Sequence, residues 1–383
     1  MQAIGKSALR RALSIRDLTD PEEGPHAMQL VVGAVVEALQ RAWGCEVRTV
    51  RTSAVTSAAD NYDRLGYPPD AVTRDARYTR WIGDGVLLRT QTSAMVPPAL
   101  RALAADPKTP TDVLVVCPGI VYRRDQIDRL HTGEPHQLDL WRIRRGQPLD
   151  DADLEAMIAH VVEGLLPGWR LRRIPAVHPY TTAGRQIDVA PAGSSDADRD
   201  WIEIGECGLA APEVIAGAGL SSEHTGLAMG LGLDRLVMMK KGIDDIRLLR
   251  SEDPRIVAQM LDLAPYRAVS GMPPVRRDLS LAMWPPIDPE TLGDRVRAAL
   301  RDDAELLEEV ALLGETPGGE LPAVASGRLG LVAGQHNVLV RITLRALDRT
   351  LTSEACNELR DRVYAALHEG TVHTWAAGRP PRP

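Results

Sequence analysis

The chain has 383 residues, a formal net charge of −7 and a hydrophobic fraction of 44%, which predicts two or three domains with their own cores. The acidic balance excludes a globally basic nucleic-acid-binding surface, and no apolar run is long enough to cross a membrane. Phenylalanine is absent, although the chain has seven Trp, seven Tyr and ten Met. The four cysteines are widely spaced without a CxxC pair, which indicates reduced thiols in a cytoplasmic protein.

Residues 1–24 are predicted to be an N-terminal extension with one extra helix, because they lack the apolar core of a targeting peptide. Apolar residues at helical spacing predict a long helix over Met28 to Trp43, and a long functional loop is expected over 55–85. Further along we expect strands at 85–88, 113–117, 138–143 and 201–204, with helices near 152–164 and 228–241. Because strands outnumber helices between 85 and 235, residues 25–265 are predicted to form an α+β domain around an antiparallel sheet.

A second domain is predicted over residues 270–383, after a Pro- and Gly-containing linker near 265–274. The pattern there indicates a strand near 275–283, a helix near 289–301 and two strands near 306–313 and 328–346. A helix over 353–367 and a short strand over 372–375 complete the prediction. This order is typical of the split βαβ, ferredoxin-like fold.

Two segments carry residues suited to nucleotide chemistry. The first runs from Gly119 through Asp125 and His131 to Asp139, and the second from Gly226 to Arg235. Arginine pairs with phosphate, and a glycine-rich strand that enters a helix lets the backbone approach a ligand closely. Taken singly, each segment also fits a plain structural role, as a solvated charged face or as tight packing.

Together and in this order the segments resemble class II aminoacyl-tRNA synthetases, and specifically the phenylalanyl-tRNA synthetases. Asn61 to Asp63 with Arg74 and Asp75, and Leu87 to Ser93, resemble further motifs of that family. Pro274 to Leu279 and Asp348 to Leu351 resemble its ferredoxin-like anticodon-binding domain. The direct joining of the two domains is similar to the single-chain organellar form of the enzyme.

The resemblance implies a class II catalytic domain followed by a ferredoxin-like domain. It implies ATP-dependent activation of phenylalanine or a related aromatic amino acid, hydroxylated ones included, and transfer to tRNA, with ATP and Mg²⁺ as cofactors. We expect a cytoplasmic monomer or homodimer without membrane contact. The residues that match the family's catalytic and ATP-binding positions are Arg123, Asp125, His131, Gly232 and Arg235.

The residues that match the amino-acid-binding positions are Trp81, Ser93, Gln137, Asp139, His178, Tyr180, Ala228 and Gly230. Several of them depart from the family pattern: His178-Pro-Tyr180 stands where the family has Phe-Pro-Phe, and Asp139 replaces its Glu. Refilling of lost Phe rings accounts for Leu227, Met229 and Tyr180. A buried imidazole needs a hydrogen-bond partner, which for His178 is either a polar substrate atom or a protein or water group. A polar ring substituent on the substrate is therefore one hypothesis.

The predicted tRNA-binding residues are Arg276, Arg277, Arg341, Arg345 and Arg349, which could form one positive face. Residues 270–383 nevertheless hold thirteen Arg, no Lys and sixteen acidic residues, a net of −3. Two alternatives therefore stay open: adenylate formation in secondary metabolism without tRNA, and a non-catalytic regulatory paralogue. The absence of Phe suggests an enzyme that must be made when phenylalanine codons are unreliable, as in antibiotic self-resistance, with drift as the competing explanation.

Overall fold

The computed structural model describes residues 3–76, 78–124, 126–195, 197, 201–269 and 271–373. The chain divides into two compact units. The first comprises residues 1–123, 134–243 and 258–266, and the second comprises residues 124–133, 244–257 and 267–383. Within the described ranges, no helix has the length and apolar character that a membrane span requires.

The first unit is built on a large sheet covered by helices. Its helices are α1 (Lys6–Leu13), α2 (Ala27–Trp43), α3 (Ala58–Asn61), α4 (Val96–Ala105), α5 (Asp151–Leu165), α6 (Pro212–Gly217) and α7 (Leu233–Lys241). Its strands are β1 (Glu46–Thr49), β2 (Val55–Ser57), β3 (Trp81–Gly83), β4 (Val86–Leu88), β5 (Asp112–Ile120), β6 (His136–Arg145), β7 (Arg170–Pro175), β8 (Thr181–Ala190), β9 (Ile202–Ala210) and β10 (His224–Gly232).

In the described part of this unit, seven strands form the large sheet in the order β1-β5-β6-β10-β9-β8-β7. The β1–β5 pair is parallel and every other pair is antiparallel. This confirms the prediction of an α+β fold around an antiparallel sheet. Sheet order and chain order differ, so residues far apart in sequence become neighbours on one face.

The two long helices of the unit have local signals at their ends. The imidazole of His26 accepts a hydrogen bond from the Met28 backbone at the start of α2, and Gly44 ends the helix with φ 64°. At the start of α5, Asp150 and Asp153 form a reciprocal capping box. Both helices were predicted to within one residue at each end, because capping and apolar spacing agree.

The helix predicted over 228–241 is wrong in its first part. Residues 224–232 form the strand β10, which pairs with β6 on one side and β9 on the other, and the helix α7 begins only at Leu233. The 55–85 segment likewise holds more structure than the predicted loop. Strands β2 and β3 of this segment form a small antiparallel sheet with β4, which follows the segment, and α3 follows β2 directly.

The second unit contains a smaller sheet with helices. Its elements are α8 (Pro254–Val257), β11 (Val275–Met283), α9 (Pro289–Leu300), β12 (Leu307–Pro317), α10 (Ala323–Leu329), β13 (His336–Leu344) and α11 (Ser353–Leu367). Within the described residues the sheet order is β11-β13-β12, and both pairs are antiparallel. The strand predicted over 328–346 begins at His336, because α10 and a turn occupy the preceding residues.

The strand predicted over 372–375 is not seen where it can be checked. Val372 and His373 are not in a strand, and residues 374 and 375 lie outside the described residues. The three strands and the helices α9 and α11 follow the predicted order of a ferredoxin-like domain. That assignment and the predicted domain boundaries, 1–24, 25–265 and 270–383, stay proposals.

Candidate active site

At the centre of the large sheet, small residues of β10 lie between polar residues of the neighbouring strands β6 and β9. The register places Gly230 of β10 between Asp139 of β6 and Glu206 of β9, and it pairs Gly232 with Gln137. A Cβ atom built on Gly230 would meet nothing nearer than Asp139 Oδ2 at 3.9 Å, and one on Gly232 nothing nearer than the Ile204 carbonyl at 4.0 Å. The sheet is therefore open above these glycines, which lets a ligand approach the backbone.

Arg123 and Arg235, the two predicted phosphate-binding arginines, both act electrostatically on the Glu203 carboxyl. Arg235 donates from Nη1 to the Glu203 carbonyl at 2.9 Å. Burial, and then the neighbouring Glu206 carboxylate, raises the pKa of the Glu203 carboxyl, while Arg235 and Arg123 act in the opposite direction. Two cations and two carboxylates in one place suit an ATP phosphate chain with a divalent cation.

Arg123 is fixed through its backbone. It forms a β-bridge with Thr79, and its carbonyl accepts from Arg80 Nη2 at 3.2 Å. Arg80 in turn makes a buried ion pair with Glu134, with 2.5 Å between Nη1 and Oε1. Among the described residues, the Arg123 Nε atom is buried without a hydrogen-bond partner. A buried guanidinium nitrogen without a partner fits an anionic ligand.

Asp139 is buried and is satisfied by protein groups. Its Oδ2 accepts from Thr92 Oγ1 at 2.7 Å, and its Oδ1 accepts from Ser93 Oγ at 2.9 Å. The indole N–H of Trp141 also points at Oδ1, at 3.4 Å. Burial raises the pKa of Asp139, and the hydrogen bonds from these donors act in the opposite direction. The structure thus joins Ser93 and Asp139, and Gln137 is held beside them because its Oε1 accepts from the Thr92 backbone at 3.3 Å.

Aromatic rings stand beside this carboxylate. The partly buried Tyr180 ring lies 6.1 Å from Trp141, 6.2 Å from Tyr67 and 5.8 Å from His178 between centroids. Burial, and then the neighbouring Tyr67, raises the pKa of Tyr180 well above its ordinary value. Tyr67 donates to Gln91 Oε1 at 3.0 Å, and burial raises its pKa to about 12.

His178 has protein partners at both ring nitrogens. Its Nε2 lies 2.7 Å from Glu206 Oε2, and its Nδ1 lies 3.3 Å from Thr181 Oγ1. The imidazole is therefore satisfied without a substrate atom, which answers the question that the sequence left open. A polar group on the substrate ring is not needed to explain this histidine.

The other predicted amino-acid-binding residues, Trp81 and Ala228, also belong to the first unit. Trp81 is buried in a small cluster with Tyr62 and Leu87, against which Tyr67 packs, and its indole N–H has no hydrogen-bond partner in the described part of the chain. Ala228 lies directly opposite Trp141 in the register. The first unit thus brings together the predicted amino-acid positions.

His131 belongs to the second unit, and Asp125 lies outside the described residues. The His131 ring lies 2.8 Å from Asp128 Oδ2, and the backbone and side chain of His131 hold the pKa of Asp128 below its ordinary value against the effect of burial. His131 also lines a cavity of about 850 Å³ within the second unit, together with Arg247 and Arg349. The predicted roles of His131 and Asp125 at ATP stay predictions.

The five arginines predicted to bind tRNA do not share one face. Arg276 and Arg341 lie on the same side of the β11–β13 sheet, while Arg277 faces α11, where its Nε donates to Asn357 at 2.9 Å. Acidic neighbours pair with three of the five: Arg341 with Asp278 at 2.7 Å, Arg345 with Glu308 at 2.6 Å and Arg349 with Asp348 at 3.0 Å. Local pairing reduces the charge that these residues offer to phosphates.

Sequence reasoning missed Glu203, Glu206, Tyr67 and Trp141. Glu203 and Glu206 are the two acids of a strand otherwise made of apolar and small residues, a signal that could have marked them. Trp141 gave no such signal, because its position opposite Ala228 depends on strand pairing.

Comparisons with known proteins identify the family of the chain. Residues 19–260 match the family described as "tRNA synthetases class II core domain (F)". The chain belongs to this family and, within the class II aminoacyl-tRNA synthetases, to the phenylalanyl-tRNA synthetases.

Among the similar curated proteins is the phenylalanine--tRNA ligase alpha subunit of Prochlorococcus marinus (strain MIT 9313). It is 34% identical over 200 residues, which are 52% of this chain and 56% of that protein. The alpha subunit of Streptomyces avermitilis is 33% identical over 219 residues, 51% of this chain and 59% of that one. The chain thus spans somewhat over half the length of the curated relatives it matches. A solved pyrrolysyl tRNA synthetase from Desulfitobacterium hafniense is 18% identical, with a TM-score of 0.42 over 64% of this chain and 77% of that one.

Proposed function

We propose that the chain activates an amino acid with ATP, forms an aminoacyl-adenylate and transfers the aminoacyl group to tRNA. The observation that carries this proposal is the open sheet above Gly230 and Gly232, where Arg235 bonds the neighbouring strand and Arg123 has a buried Nε without a hydrogen-bond partner among the described residues. The substrate carboxylate attacks the α-phosphorus, pyrophosphate leaves, and no protein nucleophile is required. Cations placed before the reaction stabilise the charge that develops on the phosphorus oxygens.

Magnesium fits the donor set as a partner of ATP rather than as a resident metal. Among the described residues, no group of three or more His, Cys, Asp or Glu side chains could hold a metal ion. Mg²⁺ is commonly bound by one or two carboxylates together with substrate phosphates. Glu203, with Glu206 beside it, would supply that carboxylate, and the ion would neutralise phosphate charge.

The test is formation of the adenylate by the purified chain. We expect ATP, Mg²⁺ and a mixture of the twenty amino acids to give aminoacyl-adenylate and pyrophosphate, detected by mass spectrometry and by a coupled pyrophosphate assay. Arg235→Ala should abolish the product. Arg64→Ala is the matched control, because Arg64 pairs with Asp60 on the surface of the same unit. Equal product from the wild type and Arg235→Ala would contradict the assigned ATP site.

Transfer to tRNA rests on family membership, and the local acid pairing of Arg341, Arg345 and Arg349 favours one alternative. In that alternative the adenylate passes to an acceptor other than tRNA. Incubation of the charged enzyme with total tRNA separates the two. Acid-precipitable label that RNase releases would support transfer to tRNA, and an adenylate that forms but leaves no such label would support the alternative.

We also propose that the chain acts as a second, specialised synthetase beside an ordinary one. The support is compositional: 383 residues without Phe can be translated when phenylalanine codons are unreliable. Synthesis of the full-length chain in a host starved of phenylalanine, compared with synthesis of the Leu227→Phe variant, tests this. Equal losses of the two chains would refute it. The family resemblance predicts an aromatic amino acid as the substrate.

A further inference from the structure

The space beside Ala228, a position that the family resemblance assigns to amino-acid binding, is filled by other side chains of the protein. Ala228, the small residue at that point, is 1% exposed. The residue directly opposite it across the strands is Trp141, which is fully buried. Both belong to one hydrophobic cluster, against which Tyr180 packs. The space beside Ala228 is thus occupied by the protein itself.

The Trp141 indole is held in place by polar and aromatic contacts. Its N–H lies 3.4 Å from Asp139 Oδ1, and Asp139 is itself fixed by the hydroxyls of Thr92 and Ser93. Its ring packs against Tyr180 at a tilt of 32°. A close-packed interior accepts extra volume only at a cost of roughly 1–3 kcal/mol for even a few methylene groups. Displacement of a bonded indole by a ligand ring would cost more than such an insertion.

The next row of paired residues across the strands β6, β10 and β9 is open instead. It runs from Asp139 over Gly230 to Glu206, and the Glu206 side chain is 41% exposed. On the far side of Ala228, a Cβ atom on Gly208 would meet Thr181 Cβ at 2.6 Å, so Thr181 covers that position. A ligand above Gly230 therefore has room for its backbone atoms, and a side chain directed at Ala228 ends against Trp141.

We propose that Trp141 and Tyr180 close the side-chain pocket, so that the activated amino acid is a small one, of the size of glycine, alanine or serine. Phenylalanine does not fit, because burying an aromatic ring requires a cavity for roughly 150–250 Å² of ligand surface. Trp141 is then the residue that determines specificity. This inference rests on the proposed function and gives its substrate class.

The test is amino-acid-dependent pyrophosphate exchange by the full chain over a size series. The series is glycine, alanine, serine, 2-aminobutyrate, valine, leucine and phenylalanine. We expect kcat/KM to be at least about 100-fold higher for the best of the first three than for phenylalanine. Trp141→Leu should raise kcat/KM for phenylalanine at least about tenfold relative to that small amino acid. Trp284→Leu, a change at an exposed Trp of the second unit, is the matched control and should leave the order unchanged.

The outcomes separate the inference from the proposed function. Exchange by the wild type with phenylalanine at an efficiency equal to or above that of the small amino acids would overturn the inference and leave the proposed function standing. Exchange with no amino acid by either the wild type or Trp141→Leu would overturn both. The wild-type series needs no substitution, so it decides the question even if Trp141→Leu does not fold.

Discussion

Replacement of Arg235 by alanine tests the assignment of the phosphate site most sharply, because the loss should affect the reaction far more than the fold. The Arg235 guanidinium is oriented before ATP binds, since Nη1 donates to the Glu203 carbonyl at 2.9 Å. Loss of that single hydrogen bond should lower the free energy of unfolding by about 1 kcal/mol. Loss of one preorganised donor to the reacting phosphate should cost about 3–4 kcal/mol of transition-state stabilisation, or roughly 100–1,000-fold in kcat.

The assay is pyrophosphate exchange at saturating ATP and amino acid, paired with urea denaturation of the same preparations. Arg64→Ala provides the scale for a surface arginine, because an exposed ion pair such as Arg64–Asp60 contributes about 0–1 kcal/mol. The expected pattern is a large fall in kcat for Arg235→Ala with a small shift in the urea midpoint. An Arg235→Ala enzyme that keeps more than about half of the wild-type kcat would refute the phosphate-site argument.

Three further predictions follow from the same unit. Arg123→Ala should also reduce exchange at least about 100-fold in kcat, and normal ATP-dependent exchange by this variant would exclude it from the site. Glu206→Gln should move the acidic limb of the exchange–pH profile to lower pH. The Glu206 carboxylate raises the pKa of Glu203, and Glu203 must be ionised to bind Mg²⁺, so an unmoved or raised limb would contradict that role. Lys241→Ala should lower the free energy of unfolding by about 2–3 kcal/mol, because its buried ammonium donates to the Asp262 and Ala264 carbonyls at 2.8 and 2.7 Å, and an unchanged urea midpoint would contradict this.

The sequence was a good guide where the local signals agreed. The helices α2 and α5 have apolar spacing and clear end signals, and both were predicted to within one residue. The strand β10 was misjudged, although Leu227, Met229 and Leu231 alternate with small residues in the period of a strand. The apolar run continues into α7 without a break in composition, so only the hydrogen bonds to β6 and β9 mark the boundary at Leu233.

Candidate site residues could be proposed from the sequence where they belong to a recognisable motif. Arg235 could be assigned from the glycine-rich strand that precedes it, and Arg123 from its place in a second motif. The filled pocket was not predictable in this way. Trp141 and Ala228 are far apart in sequence, and the pairing of β6 with β10 alone makes them neighbours. Glu206, one partner of His178, likewise comes from the distant strand β9, whereas the other, Thr181, is close in sequence at the start of β8.

The arginines of the second unit show the same limit of prediction from sequence. Five arginines in the sequence predicted a single positive face, and strand alternation places Arg277 on the opposite side from Arg276. Acidic neighbours then pair with Arg341, Arg345 and Arg349. Charge counts from sequence overestimate the positive charge of a surface when acidic residues pair with its arginines across strands.

The measurement that tests the central claim most directly is an active-site titration of the purified full chain. The chain is mixed with γ-labelled ATP, Mg²⁺, pyrophosphatase and a small amino acid, and consumption of the label is followed over the first turnover. The account predicts an amino-acid-dependent burst that approaches one ATP per chain, because the adenylate stays bound in the site over Gly230 and Gly232. No burst with any of the twenty amino acids, from a chain that is folded and binds ATP, would contradict the claim that this protein activates an amino acid.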